Sequence, residues 1–327
     1  MRFNIYDSML KQRNNLREIG EKMKIAIIGA GGVGGYLGAK LIKSGYLDVT
    51  IIARGKHLEI VKRDGLTIID ENKKFNINSY HITNDITQNE PYDLVIVTTK
   101  AYDIIDALEG AKNSITDNTI LMTTANGVGY KEKIKKHFPK NPVCEACIYI
   151  LSNLIRPGTI RKYGGVFQLF IGSDEIPPKK LEYIYRIFNK ADLKTKVSQN
   201  ISLQCWRKFL FISAFATMTS YYDSSMGEVV KKHEKELREV LNEIIALANK
   251  KGIKLTQKNL EDSISQAKNK IPYNSTTSML LDFRNKKKSE IDALTGYVCV
   301  EGDRLGVEAK VMKLLYRQLL QKDIENT

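Results

Sequence analysis

Four cysteines, at 144, 147, 205 and 299, are too few to staple a chain of 327 residues, so a disulfide-built secreted scaffold is excluded. A reducing cytoplasm is the compartment this implies. Cys144 and Cys147 form a C-x-x-C, but a second pair and a neighbouring histidine cluster are lacking, and no metal site is expected. The two thiols should pack in or beside a sheet. Long apolar runs are also missing. A membrane helix needs roughly 20 such residues, and the best candidate, Phe209–Met218, is short and broken by Ser213 and Thr217. The N-terminus lacks the apolar core of a signal peptide. The net charge of +14 has no focus: the densest run is Lys286-Lys287-Lys288, and no basic stripe is interleaved with aromatics, which argues against nucleic acid. The excess reads as lysine-rich composition with an attraction for anionic ligands.

What is present begins at Lys24–Leu41. Lys24–Ile28 is a short apolar run of the kind that makes a buried parallel strand, and it ends in Gly29-Ala30-Gly31-Gly32-Val33-Gly34. A helical pattern follows at Val33, Leu37 and Leu41. Strand, glycine turn and helix in this order form a dinucleotide-binding fingerprint. Gly29 permits the tight turn, Gly31 lets the backbone approach a pyrophosphate, and Gly34 lets the helix pack close to the strand. Gly32 and Val33 complete the loop at the helix N-terminus, whose unpaired N–H groups and partial positive charge face the phosphates.

A second strand, Asp48–Ile52, leads to Ala53-Arg54-Gly55. An acidic residue at the end of this strand would bind the ribose 2'-hydroxyl of NAD, but here Asp48 opens the strand and Arg54 closes it. A guanidinium suits a 2'-phosphate, so the cofactor reads as NADP(H). The strand Asp93–Thr99 ends at Lys100, where open α/β sheets bind ligands, and Lys100 is a second candidate cation for the cofactor. For both residues the alternative is a solvated surface cation. Asn126-Gly127, after the strand Thr119–Thr123, is either a turn signal or an amide that contacts the nicotinamide ribose or a substrate. Further elements are a helix at His57–Arg63 and strands at Gly65–Asp70, Phe75–His81, Val143–Leu151, Gly165–Ile171 and Leu193–Val197, with a helix at Lys179–Asn189. His57 and His81 read as surface or capping residues.

Strand-like runs stop near Asn200. A helix over Glu228–Lys250 carries Val230, Leu237, Val240, Leu241, Ile244 and Ala248 on one side, and Gly252 stands where a C-cap would. The fold class is therefore α/β, an N-terminal Rossmann-type NADP-binding domain followed by an all-α C-terminal domain. Residues 1–22 form a dispensable N-terminal extension or precede a true start at Met23, 23–199 the nucleotide domain, and 200–327 the helical substrate domain. A chain this long has room for two cores, since single cores stop growing near roughly 250–300 residues. A ligand crevice is expected between the domains.

A nicotinamide enzyme needs an acid to protonate the oxygen of a reduced carbonyl, worth about 10² to 10⁴ in rate. Trp206-Arg207-Lys208-Phe209 opens an apolar helix, and a lysine among Trp206, Phe209 and Phe211 would be partly desolvated, which lowers its pKa. The commoner situation is a helix-edge lysine whose stem lies on aromatic rings. Hydroxyls at Ser275–Ser278 either cap a helix or bind a carboxylate.

Together these stretches resemble the ketopantoate reductase family, from Met23 to the C-terminus. The resemblance rests on Gly29–Gly35, Ala53-Arg54-Gly55, the strand ending in Lys100, Asn126-Gly127, Trp206–Phe209, and Ser278-Met279-Leu280 with Glu290-Ile291-Asp292 beyond. It implies NADPH-dependent reduction of 2-dehydropantoate in pantothenate and coenzyme A synthesis. Lys208 would be the general acid, Glu290 would bind substrate and steady Lys208, Ser278 would bind the substrate carboxylate, and Asn126 would contact substrate and nicotinamide. Arg54 and Lys100 would hold the 2'-phosphate. Partners are then a small 2-keto acid, with a homodimer left open and neither nucleic acid nor membrane. The chain departs from the family at Ile212 and Ala216, where members usually carry asparagines. That leaves two alternatives: a reductase of a less polar 2-keto acid, or a non-catalytic NADPH-binding regulator.

Overall fold

The computed structural model describes residues 23–86 and 91–326; the expected extension, residues 1–22, lies outside the described residues. The chain divides into two compact units. One runs to Ala125 and resumes at Tyr130–Ile201, and the other comprises Asn126–Gly129 and everything from Ser202 onward.

The first unit is built on a parallel sheet of β1 (Ile25–Ile28), β2 (Val49–Ile52), β5 (Ile82–Thr83), β6 (Leu94–Val97), β7 (Ile120–Thr123) and the start of β8 (Val143–Arg156). Their order in space is β5-β2-β1-β6-β7-β8. Every residue of β1, β6 and β7 is buried, as strands covered on both faces require. The order reverses beside β1, so the loop after β1 opens at the topological switch point where α/β sheets bind ligands.

The sheet is not wholly parallel. β8 turns at Pro157-Gly158 into an antiparallel partner, β9 (Thr159–Gly172), and both strands extend well past the expected Val143–Leu151 and Gly165–Ile171. Gly158, at φ +76°, makes the reversal, and the hairpin carries exposed Leu151 and Val166 where an apolar-run reading ended or weakened. β9 then pairs with β3 (Leu66–Asp70) and β10 (Thr195–Val197). The strand expected over Phe75–His81 is β4, Lys73–Ile77. It stops because its antiparallel partner β3 begins at Leu66, opposite Ile77, and a 3-10 turn, Ser79–His81, follows. Cys144 and Cys147 are buried in β8 and form no disulfide.

The second unit is helical. Its core gathers Phe209, Phe215, Leu237, Leu241, Ile244, Val298 and Met312, with Val128 contributed by the short Asn126–Gly129 segment. The single helix expected over Glu228–Lys250 is two helices, Met226–Lys232 and Glu234–Lys250. Ser225 and Glu228 form a reciprocal capping box that starts the first, and His233, at φ −131°, ends it with its ring stacked 3.5 Å from that of Tyr222. Gly252, at φ +81°, follows the end of the second helix. Among the described residues no helix is long and apolar enough to cross a membrane, and no cluster of His, Cys, Asp or Glu could hold a metal ion.

Candidate active site

The glycine loop divides its labour unevenly. Gly29 sits at φ +110°, a conformation that side chains resist. A Cβ on Gly34 would lie 2.0 Å from the Gly29 carbonyl oxygen, so the helix Gly32–Lys43 lies almost against the turn. Gly32 is required by the fold itself, since a Cβ there would stand 2.2 Å from the Ser152 carbonyl oxygen of β8. Gly31 alone of these meets nothing within 4 Å. Open space at the helix N-cap is what the approach of a phosphate demands. Val33 is half-buried and packs on the sheet core. Thr98, at the carboxyl end of β6, donates its hydroxyl to the Gly29 carbonyl at 2.8 Å and so ties the loop to the neighbouring strand.

A cavity of about 220 Å³ opens beside this loop, walled by Gly29, Ala30, Gly31, Arg54, His57 and Leu154, among others. Arg54 is exposed at the N-cap of the helix Gly55–Asp64. The structure thus brings Arg54 to the glycine loop. Lys100 is half-buried at the start of a 3-10 turn after β6, on the other side of β1, and does not line this cavity.

His57 is a correction to the sequence reading. It is not a surface group: its Nδ1 accepts from the Gly158 N–H at 3.0 Å, across 101 positions, and its Nε2 is buried facing the Ala30 carbonyl without reaching hydrogen-bond geometry. An Nδ1 that accepts leaves the proton on Nε2, and burial lowers the pKa of the ring. Where His57 is half-buried, His81 is buried, 8% exposed, with Nδ1 3.2 Å from the Val49 carbonyl.

In the helical unit, Lys208 lies on the helix Ile201–Tyr222 and its Nζ donates to Asn126 Oδ1 at 2.8 Å. Trp206 and Phe209, 4% and 0% exposed, turn inward and meet each other edge to face with ring centroids 5.4 Å apart. Phe211 stacks instead on Phe215 at 4.6 Å. Glu290 is buried, 7% exposed, just before a π-helical turn, Asp292–Gly296. That turn is held by the helix of Lys208: Ser213 Oγ donates to the Leu294 carbonyl, and the hydroxyls of Thr217 and Thr295 meet at 2.7 Å. Of the hydroxyls before the helix Ser278–Arg284, Thr277 is the cap, accepting from Leu280 N–H, while Ser278 is exposed in the first turn.

The sequence is matched by the model of ketopantoate reductase PanE/ApbA over residues 25–174 and by that of its C-terminal domain over residues 200–323. This chain belongs to the ketopantoate reductase family. A 2-dehydropantoate 2-reductase of Pyrococcus horikoshii is 31% identical over 311 residues, covering 92% of this chain and 98% of that protein. The Bacillus subtilis protein YkpB, an uncharacterized oxidoreductase, is 27% identical over 306 residues, covering 93% and 100%. Among solved structures, a PanE/ApbA family ketopantoate reductase of Ralstonia eutropha superposes with a TM-score of 0.85 at 24% identity, covering 93% and 99%. A D-mandelate dehydrogenase bound to NADH and anilino(oxo)acetate gives 0.84 at 23%, also covering 93% and 99%. At these identities the two structures establish the fold.

In this ketopantoate reductase relative the helix of Lys208 carries half-buried Ile212 and buried Ala216 one and two turns further on. Of the buried polar groups of the same helix, Ser213, Thr217 and Thr219 are committed to internal bonds, and Ser220 Oγ is buried without a hydrogen-bond partner. His57 and Thr98 were missed by motif reading because each acts through a partner far away in sequence. The clue for Thr98 was its place at a strand end beside the switch point.

Proposed function

We propose that this protein reduces a 2-keto acid with NADPH, 2-dehydropantoate being the leading substrate, with Lys208 as the general acid. The observation that carries this reading is the Lys208–Asn126 hydrogen bond at 2.8 Å, which fixes an amine donor on a helix that also carries a compact aromatic core. The nucleotide fits the residues present: Gly31 offers open backbone at a helix N-cap, and Arg54 brings a guanidinium to the same cavity. When bound, the nicotinamide supplies a hydride to the keto carbon. Lys208 gives the proton that the carbonyl oxygen takes up, and returns to its charged form from water. Asn126 Oδ1 accepts a hydrogen bond from one of the ammonium N–H groups and so orients the amine. Ser278 and Glu290 are assigned to the substrate carboxylate and hydroxyl, and Lys100 to the cofactor.

Ile212 and Ala216 favour a second reading, in which the substrate is a less polar 2-keto acid. The two are separated by following NADPH and NADH oxidation with 2-dehydropantoate beside a panel of branched and aromatic 2-keto acids. Turnover of 2-dehydropantoate with NADPH preferred supports the first. Activity only on aromatic acids moves the assignment to the second, and oxidation with none of them would leave a nucleotide-binding protein without this chemistry.

A further inference from the structure

Asn126 and Lys208 reach each other from opposite ends of one aromatic cluster. The segment Asn126–Gly129 leaves the sheet unit at Ala125 and returns to it at Tyr130, yet it packs wholly with the helices. Two of its four residues are glycines at positive φ, +126° at Gly127 and +78° at Gly129, so its path is one that ordinary side chains would strain. Its last residue, Gly129, lies against the ring of Tyr297. A Cβ on Gly129 would stand 2.8 Å from both Cε2 and the hydroxyl of that ring. Val128, the residue between, is buried in the same core as Trp206 and Phe209.

Tyr297 also meets the helix of Lys208. Its ring meets Phe209 at 5.7 Å and Trp206 at 6.2 Å, both edge to face, while Trp206 and Phe209 meet each other at 5.4 Å. Three rings in mutual edge contact, at interplanar angles of 80°, 82° and 61°, leave little rotational freedom, and such pairs add to plain burial. Lys208 lies in sequence between the two helix members of the triad. Tyr297 is itself held from outside, since the Lys251 ammonium lies 5.8 Å from its ring centre and is paired to Glu301 at 2.9 Å.

We infer that Tyr297 is a positioning residue that sets the Lys208–Asn126 distance by gripping the Asn126–Gly129 segment on one side and the Trp206–Phe209 edge on the other. The inference rests on the reading of Lys208 as the general acid for its kinetic consequence, but not for its geometry. The hydrogen bond joins two flexible side chains, and without a fixed backbone separation it would be one rotamer among several.

The test compares Tyr297→Phe, which keeps the ring, with Tyr297→Leu, which keeps only apolar volume, in the full-length protein. For Tyr297→Leu, kcat should fall by about tenfold, the value of one lost hydrogen bond, while the KM for NADPH is unchanged. The alkaline limb of its kcat profile should move to lower pH, because the ammonium loses its acceptor. Tyr297→Phe should restore kcat and the profile to within about twofold of wild type, since the ring contacts remain. Equal kcat and identical profiles in wild type and Tyr297→Leu would overturn the inference, as would a loss of stability with no change in the kcat profile. Should the wild type reduce no 2-keto acid, the reading of Lys208 fails separately. Crystal structures of the two variants then decide the positioning role, which requires the Lys208–Asn126 bond to be broken in Tyr297→Leu and kept in Tyr297→Phe.

Discussion

Lys208 donates to Asn126 at 2.8 Å although 82 positions separate them in the chain. The contact lies inside the helical unit, because Asn126 departs from the sheet unit that flanks it in sequence. A side-chain amide is a neutral acceptor, so it orients the amine without fixing it as one half of an ion pair. Replacing Lys208 by Ala should lower kcat by at least about 10² and leave NADPH affinity near wild type. Asn126→Ala should cost less, about tenfold in kcat. Steady-state kinetics beside a cofactor titration checks both, and full activity in Lys208→Ala removes it as the acid.

Arg54 faces the cavity beside Gly31 from an exposed position. A charge-assisted bond to a phosphate contributes about 1.5–3 kcal/mol, so Arg54→Ala should weaken NADPH binding by about tenfold or more and leave NADH almost untouched. Arg54→Glu should reverse the preference. If the ratio of the two binding constants does not move, the guanidinium does not read the 2'-phosphate.

Ile212 and Ala216 offer a gain-of-function experiment. Ile212→Asn with Ala216→Asn places amides one and two turns from Lys208. If the pocket is that of a less polar acid, the pair should raise kcat/KM for 2-dehydropantoate by about tenfold and lower it for aromatic acids. No change in the ratio would mean that these positions do not face the substrate.

Half-buried His57 and buried His81 predict a pH dependence of stability. Burial holds the folded pKa of His57 and of His81 below the ordinary value near 6.5. Below that value the unfolded chain takes up protons that the native state refuses, so stability is full above about pH 6.5 and declines as pH falls through the folded pKa values. The carboxylates act lower down. Glu301, held at about 2 by Arg304 and Lys251, contributes above the ordinary carboxylate range and is lost only as pH falls towards 2. Urea midpoints measured from pH 7.5 to 5 should therefore fall well above the range in which Glu301 titrates, and His81→Phe should flatten part of that slope. A flat profile over this range would contradict the assignment of neutral buried rings.

Gly32→Ala tests a structural claim. Its Cβ would press on the Ser152 carbonyl oxygen at 2.2 Å, a backbone atom that cannot swing aside. We expect a loss of about 1–3 kcal/mol, with weaker cofactor binding as the helix is pushed from β8. Thermal melts with and without NADPH read both effects.

The residues alone carry the succession of the main strands, the change from sheet to helix near residue 200, the glycine turn after β1 and the family. These are local signals: apolar runs for strands buried on both faces, a 3.6-residue period for helices, and glycines spaced for one turn. The same local reading stopped short at β8 and β9, because the outer half of that hairpin is held by partners across the turn and not by an apolar run of its own. Only the tertiary structure decided that Gly32 answers to Ser152, that His57 is bound to Gly158, and that Asn126 belongs with Lys208. Each of these joins residues far apart in the chain, and a contact of that kind leaves no periodicity or spacing in the segment that makes it. It exists only once packing has brought the two backbones together.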